Sequence, residues 1–231
     1  MEEQLANAIA LPEGSKILDA GCGVGDVASY LASHKGYQVD GIDILDFNIE
    51  EAKKRIETRG LGDLVHVQLM SYQELKFPAK SFDATYTMET FVHSDSPDKA
   101  LEGFYKVLKP GAKLVMFEYA RDEDSKMSKR AQDSFRYINK YAAMPGFQQF
   151  THGSLEKLIK QAGFENIQVK DISDKVAPMM RAFNTVAYVP YLFIRLMGKR
   201  ARYINTTSAV EFHRYGKHIK YNIYTATKPL N

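Results

Sequence analysis

The sequence predicts an α/β fold: a doubly wound, mostly parallel sheet that carries helical lid insertions. Between residues 16 and 119, short runs rich in β-branched apolar residues alternate with helical patterns, which is typical of βαβ units. A glycine-rich turn at residues 21–25 directly follows the first of these runs and opens the first helix. Beyond residue 120, two longer aromatic segments interrupt the pattern, and we expect them to cover one edge of the sheet.

Five strands and three helices are predicted in the first half of the chain. The strands span residues 16–19, 38–42, 65–69, 82–87 and 113–118, and the helices span residues 24–34, 48–59 and 97–108. Ser96 is the predicted N-cap of the third helix and Pro97 its first residue, where a missing N–H does no harm. Pro110 and Gly111 stop this helix, because neither residue continues helical backbone easily.

The second half of the chain alternates covering segments with two further strands. Residues 121–150 are charged and then aromatic, so we predict a helical insertion after the fifth strand. A helix over residues 154–162 leads to a strand near 167–170. Residues 176–215 form a second long insertion, and residues 221–226 alternate well enough for a last strand.

Composition limits the class of protein. The 231 residues are 45% hydrophobic and 26% charged, as in ordinary globular proteins, and the length suits one domain. Cys22 is the single cysteine, which excludes an intramolecular disulfide, and the first residues show no secretory leader pattern. No run approaches the roughly 20 apolar residues that span a bilayer. We therefore predict a cytoplasmic protein.

The C-terminal quarter of the chain is basic and rich in aromatic residues. Residues 175–231 contain ten Lys or Arg residues and one acid, Glu211. We predict no nucleic-acid binding, because the chain has no recognised nucleic-acid motif and its basic residues alternate with bulky apolar ones. The run 186–202, apolar and then basic, suits either a covering lid or peripheral contact with a membrane surface.

The glycine-rich turn carries the first chemical signal. Its pattern is D-x-G-x-G-x-G, formed by Asp19, Gly21, Gly23 and Gly25. Glycines let the backbone turn tightly and approach a ligand, and free amides at the helix N-terminus donate to that ligand. The fingerprint of nicotinamide-dependent oxidoreductases is instead G-x-G-x-x-G. The glycine spacing therefore disfavours an oxidoreductase.

A second signal lies at the end of the second predicted strand. Asp43 stands there, 24 residues beyond Asp19. A carboxylate at this place in a doubly wound sheet can accept hydrogen bonds from both ribose hydroxyls of a nucleoside. The alternative is that Asp43 only caps the following helix. The glycine turn favours the nucleoside interpretation, because both features then serve one ligand.

These features, with two further motifs, resemble a known family. Phe-Asp-Ala stands at residues 82–84 and Val-Leu-Lys-Pro-Gly at residues 107–111. Together with the glycine turn, they make residues 17–119 similar to class I S-adenosylmethionine-dependent methyltransferases. Within this family the segment is most similar to the branch of sterol C-methyltransferases and tocopherol methyltransferases. The resemblance implies a Rossmann-like fold and S-adenosylmethionine as cofactor.

The resemblance also implies how the chain is organised. We expect a single domain over residues 1–231, with a cofactor-binding half at 1–120 and substrate-covering insertions at 121–150 and 176–215. Members of the family generally carry a longer segment before the first strand, with helices that close over the cofactor. Residues 2–10 are either a remnant of that segment, or the segment lies outside this sequence.

By the same resemblance, the glycine turn surrounds the amino-acid part of the cofactor. Gly21, Gly23 and Gly25 are then the residues around this part of the ligand. Asp19 is implied to lie near the ammonium group. Cys22, inside the turn, is interpreted as a small filler rather than a nucleophile.

Four further residues are implied for the nucleoside part of the cofactor. Asp43 takes the ribose, and Ile44 packs on the adenine. Where many relatives have an acid that receives the adenine amino group, this chain has Ser71 followed by Tyr72. A serine hydroxyl also accepts such a hydrogen bond, so Ser71 and Tyr72 are predicted contacts.

Three acid or base side chains are candidates for catalysis. Glu89 and His93 follow the fourth strand and resemble the Glu and His of sterol methyltransferases. His93 suits a general base, and the alternative is that it packs under the lid. Glu118 with Tyr119 resembles the Glu-aromatic pair of the same enzymes, which would stabilise cationic character in a substrate alkylated on carbon. The alternative for Glu118 is a cap or an ion pair.

The predicted function is methyl transfer to a small lipophilic acceptor. Aromatic and methionine side chains recur in residues 133–150 and 179–197, which suits such a molecule. Carbon is the favoured target because of Glu89, His93 and Glu118, and oxygen, nitrogen or sulfur of a secondary metabolite is the alternative. A protein that binds the cofactor without methylating, as a regulator or a catalyst of rearrangement, is a further alternative. No metal is predicted, because methyl transfer from a sulfonium needs none.

Overall fold

The computed structural model describes residues 1–230. Its strands are β1 (Lys16–Ala20), β2 (Gln38–Asp43), β3 (Val65–Leu69), β4 (Phe82–Met88), β5 (Leu108–Arg121), β6 (Glu165–Asp171) and β7 (Ile219–Thr227). Its helices are α1 (Glu2–Ile9), α2 (Asp26–Lys35), α3 (Asp46–Thr58), α4 (Pro97–Val107), α5 (Lys129–Tyr141), α6 (Ser154–Gln161), α7 (Ser173–Leu196) and α8 (Ile204–Arg214).

The strands form one sheet in the order β3-β2-β1-β4-β5-β7-β6. The pairs among β1 to β5 are parallel. β7 inserts between β5 and β6 and runs antiparallel to both. The predicted fold class, a doubly wound and mostly parallel sheet with flanking helices, is confirmed.

Both faces of the sheet are covered, and neighbouring residues of one strand serve opposite faces. Ile17 packs with α1, α2 and α3, whereas Leu18 packs with α4, α5 and α6. Val115 and Met116 divide in the same way in β5. Side chains alternate across a strand, so central strands buried on both faces have continuous apolar sequences. This explains why the sequence predicts the positions of these strands.

Two helices begin later or earlier than the sequence pattern predicts. α2 begins at Asp26 rather than at residue 24, because Gly23 and Gly25 hold left-handed backbone, with φ of +52° and +78°. α3 begins at Asp46 rather than at residue 48. At α4, Ser96 occupies the N-cap position and Pro97 the first position as predicted, although the serine side chain makes no capping hydrogen bond.

The fifth strand is longer than predicted. α4 ends at Val107, and β5 begins at Leu108, which pairs with Phe82 ahead of a register shift. Gly111 accommodates the irregular backbone with a φ of +76°. The strand then continues to Arg121, because β7 pairs with it from Lys113 onward. Pairing with β4 at its start and with β7 at its end therefore makes β5 longer than the apolar run that predicts it.

Both long insertions contain helices and lie at the carboxyl end of the sheet. α5 follows β5, and Ser128 caps it by accepting the Ala131 N–H at 3.3 Å. α7 and α8 lie between β6 and β7 and pack against each other. Within residues 1–230, no helix is long and apolar enough to cross a membrane.

Candidate active site

The glycine turn joins β1 to α2 and lies against the segment that follows β4. Gly21, Gly23 and Gly25 have φ angles of +101°, +52° and +78°, a region that favours glycine. A Cβ on Gly21 would stand 2.2 Å from the Thr90 hydroxyl oxygen, so this glycine permits the two segments to touch. Among the described residues, a Cβ on Gly23 would meet no atom within 4 Å. The turn is therefore packed at Gly21 and open at Gly23.

Asp43 connects the end of β2 to this turn. Its Oδ2 accepts the Gly23 N–H at 3.0 Å, and its Oδ1 accepts the Leu45 N–H at 2.9 Å and the Asn48 amide at 3.2 Å. The carboxylate thus holds the start of α3 and also faces the glycine turn, so the two interpretations of Asp43 are compatible. The Ile44 side chain beside it is 65% exposed, which leaves an apolar surface next to the carboxylate.

Asp19 is a buried carboxylate under the same turn. It is 2% exposed, and its Oδ2 has no hydrogen-bond partner within residues 1–230. Burial raises the pKa of Asp19 to about 7, the nearby Tyr86 hydroxyl opposes this increase, and the neighbouring Asp43 charge adds to it. An unpaired buried carboxylate is unfavourable unless a positive charge joins it. The position therefore fits the cationic group of a ligand held by the glycine turn.

The two predicted adenine contacts, Ser71 and Tyr72, differ in burial. Ser71 is partly exposed, and its Oγ accepts the Gln73 N–H at 3.2 Å. The Tyr72 ring is buried against Phe91, and its hydroxyl donates to the Thr90 carbonyl at 3.1 Å. The Tyr72 side chain therefore packs in the core and holds the segment after β4, and its contact with the cofactor stays a prediction.

A cavity of about 320 Å³ lies between the ends of β4, β5 and β7 on one side and α7 and α8 on the other. We call it the Glu89 cavity. Its apolar lining comes from Val176, Ala177, Met179, Met180, Phe212 and Ile219, and its polar lining comes from Glu89, Tyr119, Tyr221, Ser173, Asp174, Arg181 and His213. The cavity is thus mostly apolar with a carboxylate at the sheet edge, which is typical of small-molecule sites.

Glu89 is held by two tyrosines. Its Oε1 accepts the Tyr221 hydroxyl at 2.7 Å, and its Oε2 accepts the Tyr119 hydroxyl at 3.1 Å. Burial raises the pKa of both phenols far above the ordinary value, and the Glu89 charge adds to the increase, so both remain hydrogen-bond donors. The Glu89 backbone has a φ of +58°, strained for a non-glycine residue, and such strain is common at functional sites.

Tyr221 is a site residue that the sequence interpretation missed. It enters from β7, where it stands directly opposite Tyr119 of β5. The two ring centroids lie 4.9 Å apart. Only the antiparallel pairing of the last strand brings Tyr221 to Glu89, and no local motif around residue 221 signals it.

Glu118 lies outside the Glu89 cavity. It is 0% exposed, and its Oε2 accepts the Val92 N–H at 2.9 Å while its Oε1 accepts the Tyr119 N–H at 3.1 Å. Burial raises the pKa of Glu118 to about 8, against the lowering effect of these backbone hydrogen bonds. In this structure Glu118 fixes the 3₁₀ turn Phe91–His93, and its catalytic role stays a prediction.

His93 is exposed and does not line the Glu89 cavity. Its Nδ1 lies 2.7 Å from the Ala143 carbonyl. Because a carbonyl only accepts, Nδ1 is the donor of this hydrogen bond. The structure thus ties His93 to the segment after α5 and separates it from the Glu89 cavity. Its role as a base stays a prediction.

The buried acids predict how stability changes with pH. Glu118 has an ordinary pKa of 4.5 and a folded pKa of about 8, so between these values the folded protein holds a proton that the unfolded chain has lost. The free energy of unfolding therefore falls as pH rises, by roughly 1.4 kcal/mol per pH unit for one such group. Urea unfolding at pH 5, 6, 7 and 8 measures this slope, and we expect Glu118→Gln to make it shallower by about that amount.

Glu102→Gln is the matched control for this measurement. Glu102 is an exposed glutamate on α4, and its removal should leave the pH slope unchanged. The pKa of Asp19 is raised in the folded protein, as the pKa of Glu118 is. We therefore expect the stability of Glu118→Gln to keep a smaller dependence on pH. Equal slopes in the wild type and Glu118→Gln would show that Glu118 is ionised in the folded protein at neutral pH.

The described part of the chain offers no evident metal site. Among residues 1–230, no group of three or more His, Cys, Asp or Glu side chains is arranged to hold a metal ion. The fold, the glycine turn and the two acids Asp19 and Asp43 have the arrangement expected of a nucleoside-binding α/β protein, and an apolar cavity adjoins them.

Comparison with known proteins identifies the family. A family model described as a methyltransferase domain matches residues 18–116. The S-adenosyl-L-methionine-dependent Diels-Alderase iccD of Talaromyces variabilis is 37% identical over 99% of this chain and 80% of its own length. The 24-methylenesterol C-methyltransferase 3 of Arabidopsis thaliana is 30% identical over 74% of this chain and 48% of its own length. The solved 4+2 cyclase SpnF is similar in fold, with a TM-score of 0.81 and 24% identity over 100% of this chain and 81% of that chain.

The chain therefore belongs to the class I S-adenosylmethionine-dependent methyltransferases. Its cofactor is S-adenosylmethionine, as the sequence predicts, and the unpaired Asp19 carboxylate beside the open glycine turn fits that cation. The similarity to sterol C-methyltransferases that the sequence indicates is also confirmed.

Proposed function

We propose that the protein transfers a methyl group from S-adenosylmethionine to a small lipophilic molecule in the Glu89 cavity. One observation carries the proposal: the cavity contains a carboxylate only one residue from Thr90, which touches the glycine turn. A cofactor held by that turn and an acceptor held in the cavity would therefore be neighbours. Methyl transfer chiefly requires this alignment in a closed site.

Five parts of the chain would hold the cofactor. The turn at residues 21–25 would surround its amino-acid part, and Asp19 would face the ammonium group. Asp43 would accept hydrogen bonds from the ribose hydroxyls, and Ile44 would cover the adenine. Ser71 would accept a hydrogen bond from the adenine amino group. When bound, S-adenosylmethionine supplies a methyl group that is already activated on a sulfonium.

Glu89 would receive the proton that the acceptor loses. Its two oxygens already accept hydrogen bonds from the hydroxyls of Tyr119 and Tyr221, which keeps the carboxylate in place at the cavity wall. The aromatic rings beside it would stabilise positive charge on an acceptor, which favours a carbon target; oxygen, nitrogen or sulfur remains the alternative. We propose the cytoplasm as the place of the reaction.

A second candidate function is cycloaddition without methyl transfer. It is favoured by the similarity to the Diels-Alderase iccD, which extends over 99% of this chain. In such a reaction two carbon–carbon σ bonds form from two π bonds of a polyene, no atom leaves, and the cofactor is not consumed. The apolar walls would fold the polyene, and Arg181 or His213 at the cavity would polarise a carbonyl group by hydrogen bonding.

A labelled cofactor distinguishes the two functions. The purified protein is incubated with S-adenosylmethionine carrying a trideuterated methyl group and with panels of sterols and hydroxylated polyenes. Mass spectrometry then detects the label in a product and S-adenosylhomocysteine in equal amount, which is the expected result. An unlabelled isomer of the substrate, formed without S-adenosylhomocysteine, would overturn methyl transfer and establish the cycloaddition.

A further inference from the structure

One side of α7 exposes a continuous apolar surface. Its members recur every three or four residues and therefore share one side of the helix. We call them the α7 apolar face: Phe183, Val186, Val189, Phe193 and Leu196, which are 53%, 79%, 59%, 62% and 86% exposed. Folded proteins seldom expose contiguous apolar patches that bind nothing. The face therefore requires a partner.

The opposite side of α7 is anchored, so the face points away from the protein. Tyr191 and Ile194 are 1% and 7% exposed. The Tyr191 hydroxyl donates to Glu211, a buried carboxylate of α8 that also accepts the Ser134 hydroxyl of α5 at 2.8 Å. These contacts join three helices through one carboxylate. Rotation of α7 to bury its apolar face would break them.

Positive charge lies at the C-terminal end of the same helix. Residues 175–203 contain six basic residues and no acid. Arg195, Lys199 and Arg202 are exposed, and none pairs with an acid of the described chain. Arg200 differs, because it lies 3.5 Å from Glu211. The free positive charges therefore adjoin the apolar face and complement an anionic surface.

We propose that the α7 apolar face binds the surface of a membrane that contains anionic lipids. The apolar side chains would enter the headgroup boundary, and Arg195, Lys199 and Arg202 would lie at the lipid phosphates. A symmetric contact with a second copy of the chain fits less well, because it would bring the same unpaired positive charges together.

The membrane contact would also serve the Glu89 cavity. Met179 and Met180 line the cavity and belong to the same helix as the apolar face. A lipophilic acceptor would thus pass from the bilayer to the cavity along α7. This step rests on the proposed function, whereas the membrane contact does not.

Sedimentation of the full chain with lipid vesicles tests the contact. We expect binding to vesicles of phosphatidylcholine with a minor fraction of phosphatidylserine, at least tenfold tighter than to phosphatidylcholine alone and weakened by salt. The double variant Val186→Glu and Leu196→Glu should lose at least tenfold in affinity. Leu230→Glu is the matched control, because Leu230 is 80% exposed outside α7, and it should bind as the wild type does.

The basic residues are tested separately with the apolar face intact. Each charge near an anionic surface strengthens binding roughly fivefold. Replacing Arg195, Lys199 and Arg202 together with glutamine should therefore reduce binding to the phosphatidylserine vesicles by about two orders of magnitude. Unchanged binding in this triple variant would overturn the assigned partner.

Two other results would overturn the proposal. One is a wild-type protein that fails to sediment with either kind of vesicle. The other is a dimer, detected by light scattering, that Leu196→Glu converts to a monomer, because a second copy would then cover the face. Titration of each variant with S-adenosylmethionine in the absence of vesicles should give wild-type affinity. A variant that loses membrane binding but keeps its affinity for S-adenosylmethionine is thus distinguished from a variant whose cofactor site has failed.

Discussion

Asp43→Ala should weaken the binding of S-adenosylmethionine at least 100-fold. The carboxylate is fixed beside the glycine turn by the N–H groups of Gly23 and Leu45, at 3.0 and 2.9 Å. In the proposed role it also accepts two ribose hydroxyls, and hydrogen bonds to a charged group contribute roughly 1.5–3 kcal/mol each. Two such bonds correspond to about two orders of magnitude or more in affinity. Calorimetric titration with S-adenosylmethionine and S-adenosylhomocysteine measures the loss.

Two variants control for effects on folding. Asp46→Ala removes an exposed aspartate at the start of the same helix and should bind the cofactor normally. Asp43→Asn keeps one acceptor oxygen and should lose an intermediate amount. Thermal unfolding of all three is compared, because Asp43 also holds two backbone N–H groups. A folded Asp43→Ala protein that binds within threefold of wild type would contradict the assignment of the ribose site.

The central sheet was predictable because its physical causes are local. Ile17 and Leu18 are both apolar, and β1 is buried on both faces, so the strand stands out as a continuous run. Asp43 was predictable because it ends the short strand β2, in which Val39 and Ile42 are buried. The start of α2 was misjudged by two residues because Gly23 and Gly25 adopt left-handed backbone, which a periodic apolar pattern does not register.

The residues around the Glu89 cavity were less predictable, because strands that are distant in sequence bring them together. Tyr221 reaches Glu89 across 132 residues of sequence, and only the register of β5 against β7 brings them together. A local signal did exist for Glu118. Glu118 and Tyr119 are neighbours in one strand and must point to opposite faces, so only one of the pair can line the cavity. The alternation does not say which of the two it is, and the structure shows that Tyr119 lines the cavity.

The segment from Glu89 to Val92 joins the cofactor turn to the substrate cavity. Glu89 lines the cavity, Thr90 contacts Gly21, and the Val92 N–H is bound by the buried Glu118. Each contact fixes the segment from a different side. The strained backbone of Glu89 is thus held by its surroundings, and its carboxylate has little freedom to move. A residue fixed in this way can receive a proton at a defined atom.

Glu89→Gln is therefore expected to lower kcat for methyl transfer by roughly 10²–10⁴-fold, the range for loss of a general base. The amide keeps the size of the side chain but cannot take the proton of the acceptor. Because Asp43 and the glycine turn are unchanged, the affinity for S-adenosylmethionine should stay within roughly threefold, a difference of less than 1 kcal/mol. Rates are measured with the acceptor found by deuterium transfer, and cofactor affinity by calorimetry.

The controls make this result specific to Glu89. Glu102→Gln, an exposed glutamate on α4, should keep the wild-type rate. Tyr221→Phe removes one of the two donors to Glu89 and should reduce kcat by less than Glu89→Gln, because the Tyr119 hydroxyl still holds the carboxylate. If Glu89→Gln instead retains the wild-type rate, Glu89 does not remove the proton. An apolar cavity that acts by enclosing its substrate, as in the cycloaddition, would then explain the geometry better.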